Sequence, residues 1–327
     1  MSAPAAPSPL ASAPAGAFTG AFQGIWPAMM TPLNADGRID LSRFVAHGQR
    51  LLASGCGGLT PFGTTGEFAS FSVQERIEGV EALVAGGIPA ERLIVSTCAA
   101  ALADVETLTR HARDLGAHGC LMLPPFYFKG IGDAGVLASF RQVIERVWGG
   151  NALVGAGELR LYPYNIPQLS GAQLSHAVIR TLLQDYPQVI AGIKDSQCDR
   201  AYSLSLVEAF MPPLPIYVGN ELDLRVLGRR GSPGAISGLA NFMPRVVRQL
   251  VLDPDGVGTD AAEVRVTTLL QRVGGYALLP ALKGLMAAAS GDAAWLRVRA
   301  PLIPLDADQA QAMAQLAREL NLNLAAD

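Results

Sequence analysis

Lysine is nearly missing from this chain of 327 residues. Lys129, Lys194 and Lys283 are the only three against 22 arginines, so lysine is not the default surface cation and each one needs its own explanation. Charge of either sign is sparse. The 25 basic and 28 acidic side chains make up 16% of the residues and form no runs, which leaves no electrostatic footprint for nucleic acid or anionic lipid and points to a small-molecule partner. No stretch approaches the ~18 uninterrupted apolar residues that a membrane helix needs. Cys56, Cys98, Cys120 and Cys198 stand far apart with no CxxC pair, and are expected as reduced thiols. His47, His111, His118 and His176 occur singly, without the clustered carboxylates of a metal centre, so no metal is expected. A GxGxxG turn after the first strand, a GxSxG elbow and a P-loop are also absent. Residues 1–21 lack the basic start and apolar core of a signal peptide, and read as an Ala/Pro/Ser-rich disordered tail on a cytoplasmic protein.

What the chain does have is apolar material, half of all residues, arranged in a repeating order. Eight short apolar runs centre near Ile25, Leu59, Ile94, Leu121, Leu161, Ile190, Tyr217 and Ile236. They are uniformly apolar rather than alternating, the pattern of parallel strands buried on both faces. Helical periodicity fills the gaps, with Asp40 before one helix and Ser72 and Glu75 forming a capping box before the next. Eight such alternations predict an α/β fold, a closed (β/α)8 TIM barrel over residues 22–252, better than a doubly wound sheet. Residues 253–327 then turn wholly helical and read as a C-terminal extension for packing or oligomer contact.

Barrel chemistry sits at the C-terminal ends of strands. Four features fall there: Gly63-Thr64-Thr65-Gly66-Glu67 after strand 2, Tyr127 after strand 4, Tyr164 on strand 5 and Lys194 on strand 6. Lys194 ends the apolar run VIAGIK, where alternation turns it into the barrel. Desolvation there disfavours an ammonium and frees the amine to attack a carbonyl, the chemistry of a Schiff-base lysine. The alternative is an inward lysine neutralised by a carboxylate such as Asp195. Tyr164 in YNIPQLSG places a hydroxyl where an imine would need proton transfer, and a core residue with a bonded tip is the alternative. The GTTGE turn offers successive N–H groups and two hydroxyls to a carboxylate or phosphate. Lys283, in the apolar helix LLPALKGLM, reads as structural, and Lys129 as a solvated loop cation.

Taken in order, GTTGE, PPFYFKG, YNIPQLSG and GIKDS resemble the dihydrodipicolinate synthase and N-acetylneuraminate lyase family of class I aldolases. The resemblance extends to GIWPAMMTPL, the GNE turn, GAISGLAN and PALKGLM, and covers roughly residues 22 to 320. It implies that Lys194 forms a Schiff base with pyruvate and that Tyr164 acts as acid and base beside it. It implies that Thr64 links Tyr164 to Tyr127, the latter reaching in from a neighbouring subunit. Thr65 would hold the pyruvate carboxylate with Gly63 in the same turn, and Gly219 and Ile236 would line the pyruvate pocket. A homotetramer, a dimer of dimers, is implied as well, with no metal or organic cofactor.

Departures from the family pattern bear on the substrate. Leu169 stands where dihydrodipicolinate synthases carry an arginine for a second carboxylate, and leucine cannot make that charge-assisted bond. The Gly219-Asn220-Glu221-Leu222 turn keeps at most one of the two acids that sialic acid lyases use on the sugar tail. Leu169, Phe126, Lys129, Asn220, Glu221 and Gly238 are therefore candidates for reading the variable half of the substrate. The leading expectation is a lyase joining pyruvate to an aldehyde, or cleaving a 2-oxo-4-hydroxy acid. A 2-oxo-3-deoxy sugar acid dehydratase or hydratase-aldolase is the first alternative, because the same imine can expel water. A non-catalytic paralogue that only binds a 2-oxo acid is the second.

Overall fold

Uniformly apolar strands need packing partners on both faces. The computed structural model, which describes residues 22–149 and 159–324, shows where each face goes. Seven strands, β1 (Gly24–Pro27), β2 (Ile94–Ser96), β3 (Gly119–Met122), β4 (Arg160–Asn165), β5 (Ile193–Asp195), β6 (Ile216–Val218) and β7 (Gly234–Ser237), form one sheet. Its order is β1-β7-β6-β5-β4-β3-β2, and every pairing is parallel.

The gap between β1 and β2 is closed by the remaining apolar run, at Leu59 and Thr60. Thr60 bridges Ala28 and Leu59 bridges Leu93. Thr60 donates to Pro27 O and Leu59 to Arg92 O, while Ile94 and Ser96 donate to Leu59 O and Pro61 O. This stave stays short because Pro61 has no N–H to continue the ladder. Before it, a Cβ on Gly58 would lie 2.4 Å from the Trp26 ring. The barrel thus has its eight staves, as expected, the second being only a pair of bridges.

Side chains alternate around this cylinder. Ile25, Val95, Cys120, Leu161, Ile193, Ile216 and Ala235 face outward into the layer shared with the helices. Trp26, Ile94, Leu121, Tyr162, Tyr217 and Ile236 face inward. Both faces are dry, which is why no strand shows a polar alternation. Phe22 plugs the N-terminal end, stacked 3.7 Å from the Tyr217 ring while the Tyr217 hydroxyl donates to Phe22 O at 2.9 Å. Burying a side chain of that kind contributes roughly 1.5–3 kcal/mol.

Twelve helices are present among the described residues: α1 (Leu41–Ala53), α2 (Val73–Ala85), α3 (Leu102–Asp114), α4 (Asp133–Trp148), α5 (Pro167–Ser170), α6 (His176–Asp185), α7 (Arg200–Phe210), α8 (Leu224–Arg229), α9 (Pro244–Leu252), α10 (Thr259–Val273), α11 (Leu278–Ser290) and α12 (Ala307–Glu319). Asp40 caps α1 by accepting from Arg43 N, and the Ser72/Glu75 capping box on α2 is formed. The turn expected at YNIPQLSG is the single helical turn α5, opened by Pro167 at its first position and stopped by Gly171 at φ +69°. The fold is a (β/α)8 barrel followed by the helices α10 to α12. The Ala/Pro-rich segment 1–21 lies outside the described residues. No helix among the described residues is long and apolar enough to cross a membrane.

Candidate active site

Inward alternation on β5, with Ile193 pointing out, places Lys194 inside the barrel at 3% exposure. In register it sits between Tyr164 of β4 and Tyr217 of β6. Its Nζ lies 4.0 Å from the centroid of the Tyr164 ring. Asp195 is not its counterion. That carboxylate turns the other way, accepting from Asn165 Nδ2 at 2.7 Å and from the Ser203 hydroxyl, and burial pushes its carboxyl above the usual range. Among the described residues no carboxylate forms an ion pair with Lys194.

The other residues close around this amine. A Cβ on Gly219 would sit 3.0 Å from Lys194 Cε and 2.0 Å from Ser196 Oγ, so only glycine leaves the lysine its place. The Tyr164 hydroxyl shares a hydrogen bond of 3.2 Å with Thr64 Oγ1. The main-chain N–H groups of Thr64 and Thr65 donate to no acceptor among the described residues, although Glu67 N is tied to Thr64 O. Thr65 faces β7, where a Cβ on Gly238 would come within 2.9 Å of its hydroxyl.

The GTTGE turn is held rigidly. Gly66 packs so closely that a Cβ would lie 2.6 Å from Met29 O, and the Thr31 hydroxyl donates to Gly66 O at 2.8 Å. Glu67 takes a left-handed φ of 58° and pairs, fully buried, with Lys283 of α11. Lys283 Nζ also donates to Arg297 O at 2.8 Å. Lys283 is structural as expected, and its partner went unread in the sequence, although a lysine in so apolar a helix signals that a buried carboxylate must meet it.

These groups surround a cavity of about 370 Å³. Thr64, Thr65, Tyr164, Leu169, Lys194, Gly219, Asn220, Glu221 and Ile236, all singled out from the sequence, line it. So do residues that were not: Ser196, whose buried hydroxyl has no partner among the described residues, and Leu270, Leu278 and Leu282 from α10 and α11. The helical extension therefore walls the site as well as packing against the barrel. Glu221 is committed, its Oε1 accepting from the Ser237 hydroxyl and Gly238 N, both at 2.9 Å, and from Leu239 N at 3.3 Å.

Four expected residues, Gly63, Phe126, Tyr127 and Lys129, do not line the cavity. Gly63 lies behind the turn, its carbonyl accepting from Phe68 N. Tyr127, which the resemblance has reaching in from a neighbouring subunit, does not meet the other strand-end features within one chain. After β3, Pro124 and Pro125 offer no N–H groups to prolong the strand, and the chain leaves the barrel rim. Tyr127 and Phe128 end up 73% and 71% exposed, packed edge to face against each other, and neither lines the cavity. Lys129 likewise turns back, donating to Phe126 O at 2.7 Å. The histidines form no cluster, and no group of metal-binding side chains occurs among the described residues.

The model of the dihydrodipicolinate synthetase family matches residues 21–320, and the chain belongs to that family. A DapA-like lyase of Chloroflexus aurantiacus is 33% identical over 296 residues, covering 89% of this chain and 94% of that one. Among solved structures, the dihydrodipicolinate synthase of Agrobacterium tumefaciens str. C58 matches with a TM-score of 0.83 at 30% identity, covering 91% of this chain and 99% of that chain. A prophage protein of the dihydrodipicolinic acid synthase family from E. coli K12, in complex with pyruvate, matches with a TM-score of 0.81 at 25% identity, covering 92% and 99%. The chain is accordingly a lyase of the class I aldolase type.

Proposed function

We propose that this protein joins pyruvate to an aldehyde, or cleaves a 2-oxo-4-hydroxy acid to the same pair, through an imine on Lys194. The carrying observation is the buried Lys194 amine beside Tyr164, whose hydroxyl is held by Thr64, all in one cavity. The lysine nitrogen attacks the keto carbon, the carbinolamine loses water, and the imine draws electrons from the neighbouring carbon. Loss of a methyl proton then gives an enamine that adds to the aldehyde carbonyl, and hydrolysis frees the product and the amine. Tyr164 passes protons in these steps, with Thr64 orienting it, a contribution of roughly 10²- to 10⁴-fold. The free N–H groups of Thr64 and Thr65, with the Thr65 hydroxyl, are suited to the substrate carboxylate.

The Tyr127 hydroxyl would complete the relay in the site of a second copy of the chain, as part of a homotetramer. Supporting this are two large aromatic side chains left exposed together on a rim loop. The pyruvate complex of the related prophage protein supports a 2-oxo acid as the shared substrate. Replacing Lys194 with Ala tests the reading: turnover should vanish with the fold intact, and substantial residual activity would contradict it.

A further inference from the structure

Six leucines wall the cavity that holds Lys194. Leu169 stands on α5, Leu222 beside the β6 turn, Leu239 after β7, Leu270 on α10, and Leu278 and Leu282 on α11. Leu169, Leu222 and Leu278 remain 59%, 47% and 53% exposed. Single exposed leucines need no explanation, but here three of them border one cavity mouth whose deeper wall is also leucine.

The side-chain donors beside these leucines are already engaged, as is one oxygen of Glu221. Glu221 accepts three hydrogen bonds from the β7 turn. Asn220 Nδ2 donates to Asp223 Oδ2 at 2.7 Å, and Gln168 Nε2 donates to Ser196 O at 2.7 Å. The nearby Arg200 guanidinium is held by Asp223 and Leu222 O. Among the described residues Lys194 is the single basic side chain in the lining, and the imine consumes it. A second carboxylate or a phosphate would find no cation here, and the Glu221 carboxylate would repel it. A polyol would lose water contacts against leucine, with the side-chain donors here already taken.

We propose that the aldehyde half of the substrate is uncharged and apolar, an aryl or branched alkyl aldehyde seated against the leucine wall with its carbonyl towards Lys194. This rests on the imine reading above and names its second substrate by chemical class. It excludes the semialdehyde carrying a carboxylate and disfavours the sugar-acid alternative.

The test runs in two arms on the full chain. Borohydride with pyruvate first reports the imine, and a chain with no trapped lysine overturns the imine reading together with this proposal. With trapping established, kcat/KM is measured for pyruvate with benzaldehyde, glyceraldehyde and succinic semialdehyde, following the 2-oxo-4-hydroxy acid by mass spectrometry. Benzaldehyde should exceed both others by about tenfold or more, the discrimination that one to two kilocalories of apolar contact provides. The Leu278→Asn variant should cut the benzaldehyde-to-glyceraldehyde ratio by about tenfold. A preference for glyceraldehyde or succinic semialdehyde, or no benzaldehyde product while pyruvate still traps, overturns the proposal and leaves the imine reading standing. An unchanged ratio in Leu278→Asn overturns it as well.

Discussion

Asn165 Nδ2 donates to Asp195 Oδ1 at 2.7 Å, and these two residues directly follow Tyr164 and Lys194, which are paired in register on β4 and β5. Alternation points Tyr164 and Lys194 into the barrel and Asn165 and Asp195 out of it, so an outward hydrogen bond sets the inward spacing. Asn165 also accepts from Leu174 N at 3.1 Å and donates to Gln197 Oε1 at 3.1 Å. Asn165→Ala leaves several buried groups unpaired and should cost about 1–3 kcal/mol of stability. The borohydride trapping rate should fall with it, since misplacing the Tyr164 ring relative to Lys194 disturbs the reacting geometry. Chemical denaturation together with single-turnover trapping checks both, and a wild-type trapping rate would show that the strand pair holds its spacing without this bond.

The Glu67–Lys283 pair links the GTTGE turn to α11 with both side chains out of solvent. Burial pulls the Lys283 ammonium below the usual lysine range, and the Glu67 carboxylate opposes that pull. Removing one partner leaves a buried charge, so Lys283→Met should destabilise the chain by about 3–5 kcal/mol. The double variant Glu67→Leu with Lys283→Met should recover much of the loss. Denaturant midpoints decide the matter, and an additive double variant would contradict the pairing as the cause.

His47 and His118 make the chain sensitive to acid. Burial pulls His47 down to about 3, with Arg50 adding to the effect, and pulls His118 down to about 4, with Arg160 adding. An unfolded histidine titrates near 6.5, so between about pH 4 and 6.5 the unfolded chain binds the extra protons. Stability from these groups is therefore full above pH ~6.5 and lost as pH falls below it. His118→Gln, which can still bond the Tyr162 hydroxyl, should flatten the slope of unfolding free energy between pH 5 and 6 by roughly 1 kcal/mol per pH unit. An unchanged slope would mean that His118 charges freely in the folded chain.

Leu169 occupies the first turn after YNIP, exposed at the cavity mouth. An arginine there would bring the bidentate donor that the present wall lacks. Leu169→Arg should raise the kcat/KM of succinic semialdehyde relative to benzaldehyde by about tenfold or more. No shift in that ratio would place the second substrate elsewhere.

Much of the fold was legible because it is written locally. Both-sided burial leaves each strand as an apolar run, and even the two-residue stave at Leu59 and Thr60 shows as one, bounded by Gly58 and Pro61. Lys194, Tyr164, Thr64 and Thr65 were legible because strand ends meet at one mouth whatever the loops do. The leucine wall was not. Leu270, Leu278 and Leu282 look like any helix-packing leucines until the extension folds back over the barrel. The Glu67–Lys283 pair spans more than 200 residues, and periodicity carries no signal over that separation. The course of the Tyr127 loop was not legible, because two prolines redirect it in space rather than in pattern.

The central claim is that Lys194 carries an imine. Incubating the protein with pyruvate and borohydride, then locating the added mass by peptide mass spectrometry, tests it most directly. The account predicts an adduct on Lys194, absent from Lys129 and Lys283 and from the Lys194→Ala variant, and formed more slowly in Tyr164→Phe. A folded protein that acquires no adduct at Lys194, or acquires it elsewhere, would contradict the account.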